Sequence, residues 1–244
     1  MKLKNAQKNS SLQREKFEKS TLNVVHKKMF FFPMFLKAIL FINLAVNSGL
    51  FSWELSKERE GIKVYTRNSE GFSIKEFKAV GVYTGTVSSI VSALQDESTF
   101  CKWFPDCKEF RILKRYPQQD RLQYIVIKAP FPVSNRDSIQ RTKLTQEPSS
   151  KIVTIQIDAQ PDEIPRVDGV VRVPKSKGYW KFIPIEKGKV EVIFQLQSDP
   201  GGSLPDWIAN LFVTENPLKT LIHLFKLAET EKFKSTTLEY IAEP

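Results

Sequence analysis

Late in the chain, glycine and proline repeatedly break apolar strands. The breaks fall at Gly169-Val170-Val171-Arg172, at Gly178-Tyr179-Trp180 and at Ser198-Asp199-Pro200-Gly201-Gly202-Ser203-Leu204-Pro205-Asp206-Trp207. After the last one a long amphipathic segment runs to the C-terminal region. Trp207, Ile208, Leu211 and Phe212 form its first apolar stripe, Asn216-Pro217 interrupts it, and Leu218, Leu221, Ile222 and Phe225 resume it. Ser203 with Asp206 three residues on predicts the cap of that helix. Strands with one apolar face and one striped helix must cover each other, so the pattern predicts an α+β fold: a curved antiparallel sheet gripping one long, bent C-terminal helix.

The rest of the chain supplies the sheet. Alternating runs at 110–116, 122–129, 139–144 and 153–159 are separated by the turn formers Pro117-Gln118-Gln119-Asp120 and Glu147-Pro148-Ser149-Ser150, which predicts antiparallel neighbours. Val153, Ile155 and Ile157 share one strand face, as do Val190, Val192, Phe194 and Leu196. Val87, Ile90, Val91 and Leu94 stand at helical spacing and predict a helix that packs on the sheet. Further upstream, Trp53-Glu54-Leu55 reads as a short helix, and Glu60-Gly61-Ile62-Lys63-Val64-Tyr65 as a Gly turn and a first strand, with a second strand over 74–84. Wherever facing side chains fail to close the gap between sheet and helix, a tunnel remains.

Charge divides unevenly. The 244 residues carry a formal +10, but residues 1–28 alone hold eight Lys/Arg against two Glu, and only +3 remains from residue 49 onward. That is too mild for a groove tracking phosphates, which argues against nucleic acid as a partner. The polar, basic stretch 1–28 reads as a disordered or untranslated leader. Residues 29–48 read as an export signal. Their uncharged apolar run Ala38 to Val46 has the length of a signal core rather than the roughly 20 residues of a membrane span, and Val46-Asn47-Ser48 offers a cleavage point. Met29 is then an alternative start, the folded domain covers 49–244, and the mature protein is periplasmic or extracellular. The competing reading is an uncleaved anchor spanning residues 30–46, against Pro33 and Lys37.

Cys101 and Cys107 are the only cysteines. In an exported domain they either bridge or stay as two thiols; spacing alone does not decide. Catalytic signals are thin. The two histidines, His26 and His223, stand far apart, and no Gly-x-Ser-x-Gly elbow, phosphate loop or metal-ligand spacing occurs, so no cofactor or metal is expected.

The order of motifs resembles the START family, the lipid-transfer branch of the helix-grip (Bet v 1-like) fold. The resemblance rests on Trp103-Phe104-Pro105-Asp106-Cys107, on Pro130-Phe131-Pro132-Val133-Ser134-Asn135-Arg136-Asp137, and on Gly169 to Arg172. It implies a module that encloses one lipid or other apolar molecule, a gating loop at residues 160–168 containing Ile164 and Pro165, and a closing helix from Leu204 to Lys226. Enzymes on the same scaffold, of the polyketide cyclase/aromatase kind, are the alternative the fold leaves open.

Candidate site residues follow. Arg136, Asp137 and Arg172 are charges set among apolar strand residues: either polar anchors for a head group, or a structural pair of Asp137 with Arg172. Alternation allows only one of Arg136 and Asp137 to face a cavity. Tyr124, Trp180 and Phe194 are candidates for its wall or for ordinary core. Trp207, Ile208, Leu211, Phe212 and Phe225 are lid candidates. Trp207, Phe212 and Phe225, with Lys219 and Lys226 nearby, are also candidates for transient membrane contact.

Overall fold

The computed structural model describes residues 52–244, so the segments read as leader and export signal lie outside the described residues. The described part begins with a hairpin, β1 (Glu54–Arg59) and β2 (Ile62–Arg67), where the sequence predicted a helix over Trp53 to Leu55. The reason is the turn. Glu60 and Gly61 both take positive φ, 52° and 74°, the two-residue geometry that returns a strand on itself, and Arg59 then pairs with Ile62.

The chain continues through β3 (Glu76–Thr84), α1 (Val87–Gln95), the one-turn α2 (Phe100–Trp103), β4 (Cys107–Tyr116), β5 (Asp120–Ile127), β6 (Asn135–Gln146) and β7 (Val153–Ala159). A short β8 (Val170–Arg172) precedes β9 (Lys175–Glu186) and β10 (Lys189–Asp199). Nine of these strands form one antiparallel sheet in the order β1-β2-β3-β10-β9-β7-β6-β5-β4, and β8 adds to β6 in parallel.

Helices close the inner face. Thr86 caps α1 by accepting the Ser89 backbone N–H at 3.1 Å, and Val87, Ile90, Val91 and Leu94 are all buried, as their spacing predicted. The C-terminal segment is α3 (Asp206–Asn210), a π-helical turn (Leu211–Glu215) and α4 (Asn216–Ala228). Pro205, not Ser203, stands at the start of α3, and no side chain caps it. The wide π turn leads directly into Asn216-Pro217; it absorbs the proline, which has no N–H to give, and accounts for the predicted interruption.

Leu218, Leu221 and Leu224 of α4 are fully buried against the sheet, each contributing roughly 1.5–3 kcal/mol. Gly81 makes room for the far end of this helix: a Cβ there would lie 2.8 Å from Ile62 Cγ1 and 3.1 Å from the Phe225 ring. The main core holds Val64, Ala79, Ile155, Phe182, Val192 and the α4 leucines. A smaller apolar cluster of Leu122, Tyr124, Val126 and Ile139 occupies the opposite, outer face of β5 and β6, with Ile164 packed on it.

Candidate ligand cavity

β5 and β6 are buried on both faces, and alternation decides what each face shows. Arg121, Gln123, Ile125 and Ile127 of β5 face the helices, as do Arg136, Ser138, Gln140 and Thr142 of β6. Opposite this largely polar wall stands an apolar one from β3, β7, β9 and β10, with Phe77, Ile155, Ile157, Trp180, Phe194 and Leu196. Trp180 and Phe194 stack with centroids 4.0 Å apart and planes within 3°, and Phe77 meets Phe194 edge-on at 5.0 Å. Phe100, Trp103 and Phe104 close one side; Val213, Pro217 and Thr220 form the roof. Between these walls lies a cavity of about 180 Å³. This is more than ten times the ~10–15 Å³ that one water needs, so it is no packing defect.

The segment bearing Trp103 is tied down twice. Cys101 and Cys107 form a disulfide, with Cα atoms 4.9 Å apart, and His223 Nδ1 donates to the Trp103 carbonyl at 2.8 Å. His223 is therefore a strut between α4 and α2. Among the described residues no cluster of His, Cys, Asp or Glu could hold a metal.

Of the residues singled out from sequence, Arg136, Trp180, Phe194 and Phe212 line the cavity. Arg136 is buried. Its guanidinium donates to the carbonyls of Ser134, Pro200 and Gly201, so it knots the β5–β6 loop to the loop that launches α3. Burial pushes its pKa below the ordinary value.

Tyr124, Asp137 and Arg172 lie elsewhere. All three point to the outer face, because strand alternation sends Tyr124 with Leu122 and Val126 away from the cavity and sends Asp137 opposite to Arg136. Arg172 meets Asp137 with Nε 3.0 Å from both carboxylate oxygens and Nη2 2.9 Å from Oδ2, with both side chains almost wholly buried. Burial, and then the Asp137 charge, pushes the Tyr124 phenol pKa upward.

The 160–168 loop is likewise not at the cavity. Ile164 packs on the outer cluster, and Arg172 gathers the carbonyls of Pro161, Ile164 and Pro165. The expected gate is a seated flap on the outer face, because its carbonyls are the remaining acceptors for a buried guanidinium. Among the lid candidates, Ile208 is fully buried and Phe225 is bolted onto Gly81 and Tyr83, the latter 5.6 Å away. Trp207 is 55% and Leu211 36% exposed, so neither closes the cavity.

Sequence reading missed Arg121, Gln123, Ser138, Gln140 and Thr142. The signal was present as a polar row on each of two adjacent strands. Of the residues on β5, sequence offered only Tyr124 as a wall candidate, and it belongs to the outer apolar row with Leu122 and Val126 that the 160–168 loop covers.

The relatives of this chain share its architecture. The START domain family matches residues 42–230. A solved fragment of a STAR-related lipid transfer protein from Xanthomonas axonopodis superposes with a TM-score of 0.67 at 35% identity, covering 73% of this chain and 99% of that one. An uncharacterized protein of Pseudomonas aeruginosa is 36% identical over 186 residues, 76% of this chain and 91% of that protein. The phosphatidylcholine transfer protein of Mus musculus is 27% identical over 165 residues, 65% of this chain and 75% of that protein. With a sheet wrapped around a C-terminal helix, a cavity between them, and a family match over most of its length, the chain belongs to the START domain family.

Proposed function

We propose that this protein carries a lipid or another hydrophobic small molecule, one at a time, in the cavity between the sheet and α4, and transfers or presents it. The observation that carries this reading is the cavity itself, walled by stacked Trp180 and Phe194 and roofed by α4 and the π turn that precedes it. Burying about 400 Å² of an apolar guest supplies on the order of 10 kcal/mol before the entropy of capture is charged, enough to hold it during transit.

The gate in this proposal is α3 with the π turn. Phe212 and Val213 line the cavity from there, and the preceding Gly201-Gly202 pair sits at positive φ. Membrane contact falls to the same end of the molecule. Phe131 is 95% exposed on the β5–β6 loop, and Arg136 links that loop to the segment leading to Trp207. Phe131 and Trp207 enter a bilayer surface while Phe212 swings aside.

A cyclase/aromatase on this scaffold would rest on the Tyr124 and Arg172 candidates, and both lie outside the cavity, which favours the carrier. Export is part of the same proposal: the Cys101–Cys107 bridge supports an oxidising compartment.

Mass spectrometry of what co-purifies with the folded protein, followed by extraction from vesicles, tests the reading. One equivalent of an unaltered hydrophobic molecule is expected. Catalytic turnover of the guest, or a folded protein that takes up no hydrophobic molecule, overturns it.

A further inference from the structure

The charges on the cavity wall are unbalanced. Among the described residues Lys75, Arg121 and Arg136 line it, and no Asp or Glu does. Lys75 reaches Glu54 at 3.8 Å, and Arg136 spends its donors on three carbonyls. Arg121 has only neutral partners among the described residues: Nε donates to Thr142 Oγ1 at 3.3 Å and Nη1 to the Gln95 carbonyl at 3.2 Å. Glu97, an acid in the same region, is instead engaged with Arg115 at 3.0 Å and the Ile112 backbone N–H. Three of the five guanidinium N–H groups of Arg121 are thus unspent.

Unspent polar atoms surround the same wall. Gln123 Oε1, Ser138 Oγ and Trp103 Nε1 are buried without a partner, in side chains only 4–7% exposed that line the cavity. Buried polar atoms in native proteins find partners, and these find none among the described residues. Arg121 stands at the start of β5 and Ile127 at its end, about 20 Å apart at ~3.3 Å per residue. Arg136 pairs with Ile127 and holds the loops flanking Phe131 and α3, so the gate proposed above lies at the Ile127 end and Arg121 at the far end.

Resting on the carrier reading, we propose that the guest is an amphiphile with an anionic head group, inserted head first, its acidic oxygens meeting Arg121 at the far end of the cavity beside Gln123 and Ser138 and its chain running toward Phe212. An acidic oxygen supplies the missing counter-charge in a dry site, where a cation left unpaired is most costly. Burial lowers the Arg121 guanidinium to about 10, so it remains charged at neutral pH. A neutral alcohol satisfies Ser138 and leaves the cation bare, and the quaternary ammonium of a phosphocholine meets no carboxylate on this wall.

Delipidated full-length protein is titrated with dodecyl phosphate, dodecylphosphocholine and dodecanol below their micelle concentrations, reading the fluorescence of Trp103 and Trp180. Dodecyl phosphate is expected to bind at least about tenfold tighter than the other two, the gain of one charge-assisted contact. Arg121→Gln removes that preference, and Arg121→Lys recovers part of it. Should Arg121→Gln fail to fold, the head-group order of the unaltered protein together with Arg121→Lys decides. Equal affinity for all three probes, or a phosphate preference that survives Arg121→Gln, overturns the head-group inference while the carrier reading stands. Inorganic phosphate binding as tightly as dodecyl phosphate overturns the amphiphile. If none of the three amphiphiles binds, the carrier reading itself falls.

Discussion

Arg136 and Asp137 are adjacent in sequence and face opposite sides of the sheet, Arg136 into the cavity and Asp137 into a buried ion pair with Arg172. One pleat of β6 therefore separates two tasks. The inward arginine ties the β5–β6 loop to the loop before α3, and the outward aspartate, through Arg172, seats the 160–168 loop that shields the back of the sheet.

Cutting the outer pair at one partner is expected to be severe. Asp137→Ala leaves the Arg172 guanidinium buried without its carboxylate, at a cost of roughly 3–5 kcal/mol, whereas changing both residues to apolar ones of similar volume costs far less. Urea unfolding of the two variants checks this. Equal destabilisation of the single and double variants contradicts the pairing argument.

The sheet was legible because period-2 alternation and turn formers are local signals. α1 and the break at Asn216-Pro217 were legible for the same reason. Two things were not. Residues 53–55 read as a short helix where β1 begins: the Gly turn was legible, but three residues are too few to show a period, and only the pairing of Arg59 with Ile62 across that turn makes them a strand. The inward face of β5 was not legible because both faces are buried, so hydrophobicity could not say whether Tyr124 meets the cavity; the Ile164 loop folding over the outer cluster decides that it does not. For Arg136 alternation narrowed the choice to it or Asp137, and the structure, which pairs Asp137 with Arg172 on the outer face, decides for Arg136.

The Cys101–Cys107 bridge fixes the turn that carries Trp103 and Phe104 to the cavity wall. Replacing both cysteines by serine is expected to cost about 2 kcal/mol, the chain-entropy value for so short a loop. The expected sign is a lower melting temperature and faster loss of a bound guest, with the same change on adding reductant to the unaltered protein. N-terminal sequencing of protein from its native source is expected to start near Gly49. A terminus at Met1 or Met29 rejects cleavage.

Phe131 touches almost nothing, so removing it tests membrane contact without disturbing the fold. Phe131→Asp is expected to slow uptake from vesicles by roughly 10- to 100-fold, the equivalent of about 1.5–3 kcal/mol of lost burial. Affinity for a guest presented without a bilayer is expected to stay unchanged, and stopped-flow transfer against equilibrium titration separates the two. Phe212→Asp places a charge on the cavity wall instead and is expected to weaken both.

Glu215 ends the π turn and is clamped to β1 by Lys57 and, at 3.5 Å, by Arg59. The hydrogen bond from Lys57 holds its carboxyl below the ordinary carboxylate value, with the charges of Lys57, Arg59 and Lys219 adding to it. A lowered pKa in the folded state means that the clamp contributes fully above the unfolded carboxylate range, near 4.5, and is lost as pH falls through the lower folded value. Acid should therefore loosen the helical segment that bears Phe212 and speed release of a guest. Asp120, held low by its hydrogen bond to Arg141, also loses its partner in acid, so overall stability falls in the same range and is no test by itself. The discriminating variant is Glu215→Gln. At neutral pH it should release the guest roughly fivefold faster, the equivalent of the ~1 kcal/mol upper range for such a pair, and it should show little further acceleration as the pH is lowered. A release rate in Glu215→Gln that matches the unaltered protein at every pH removes the clamp from the gate.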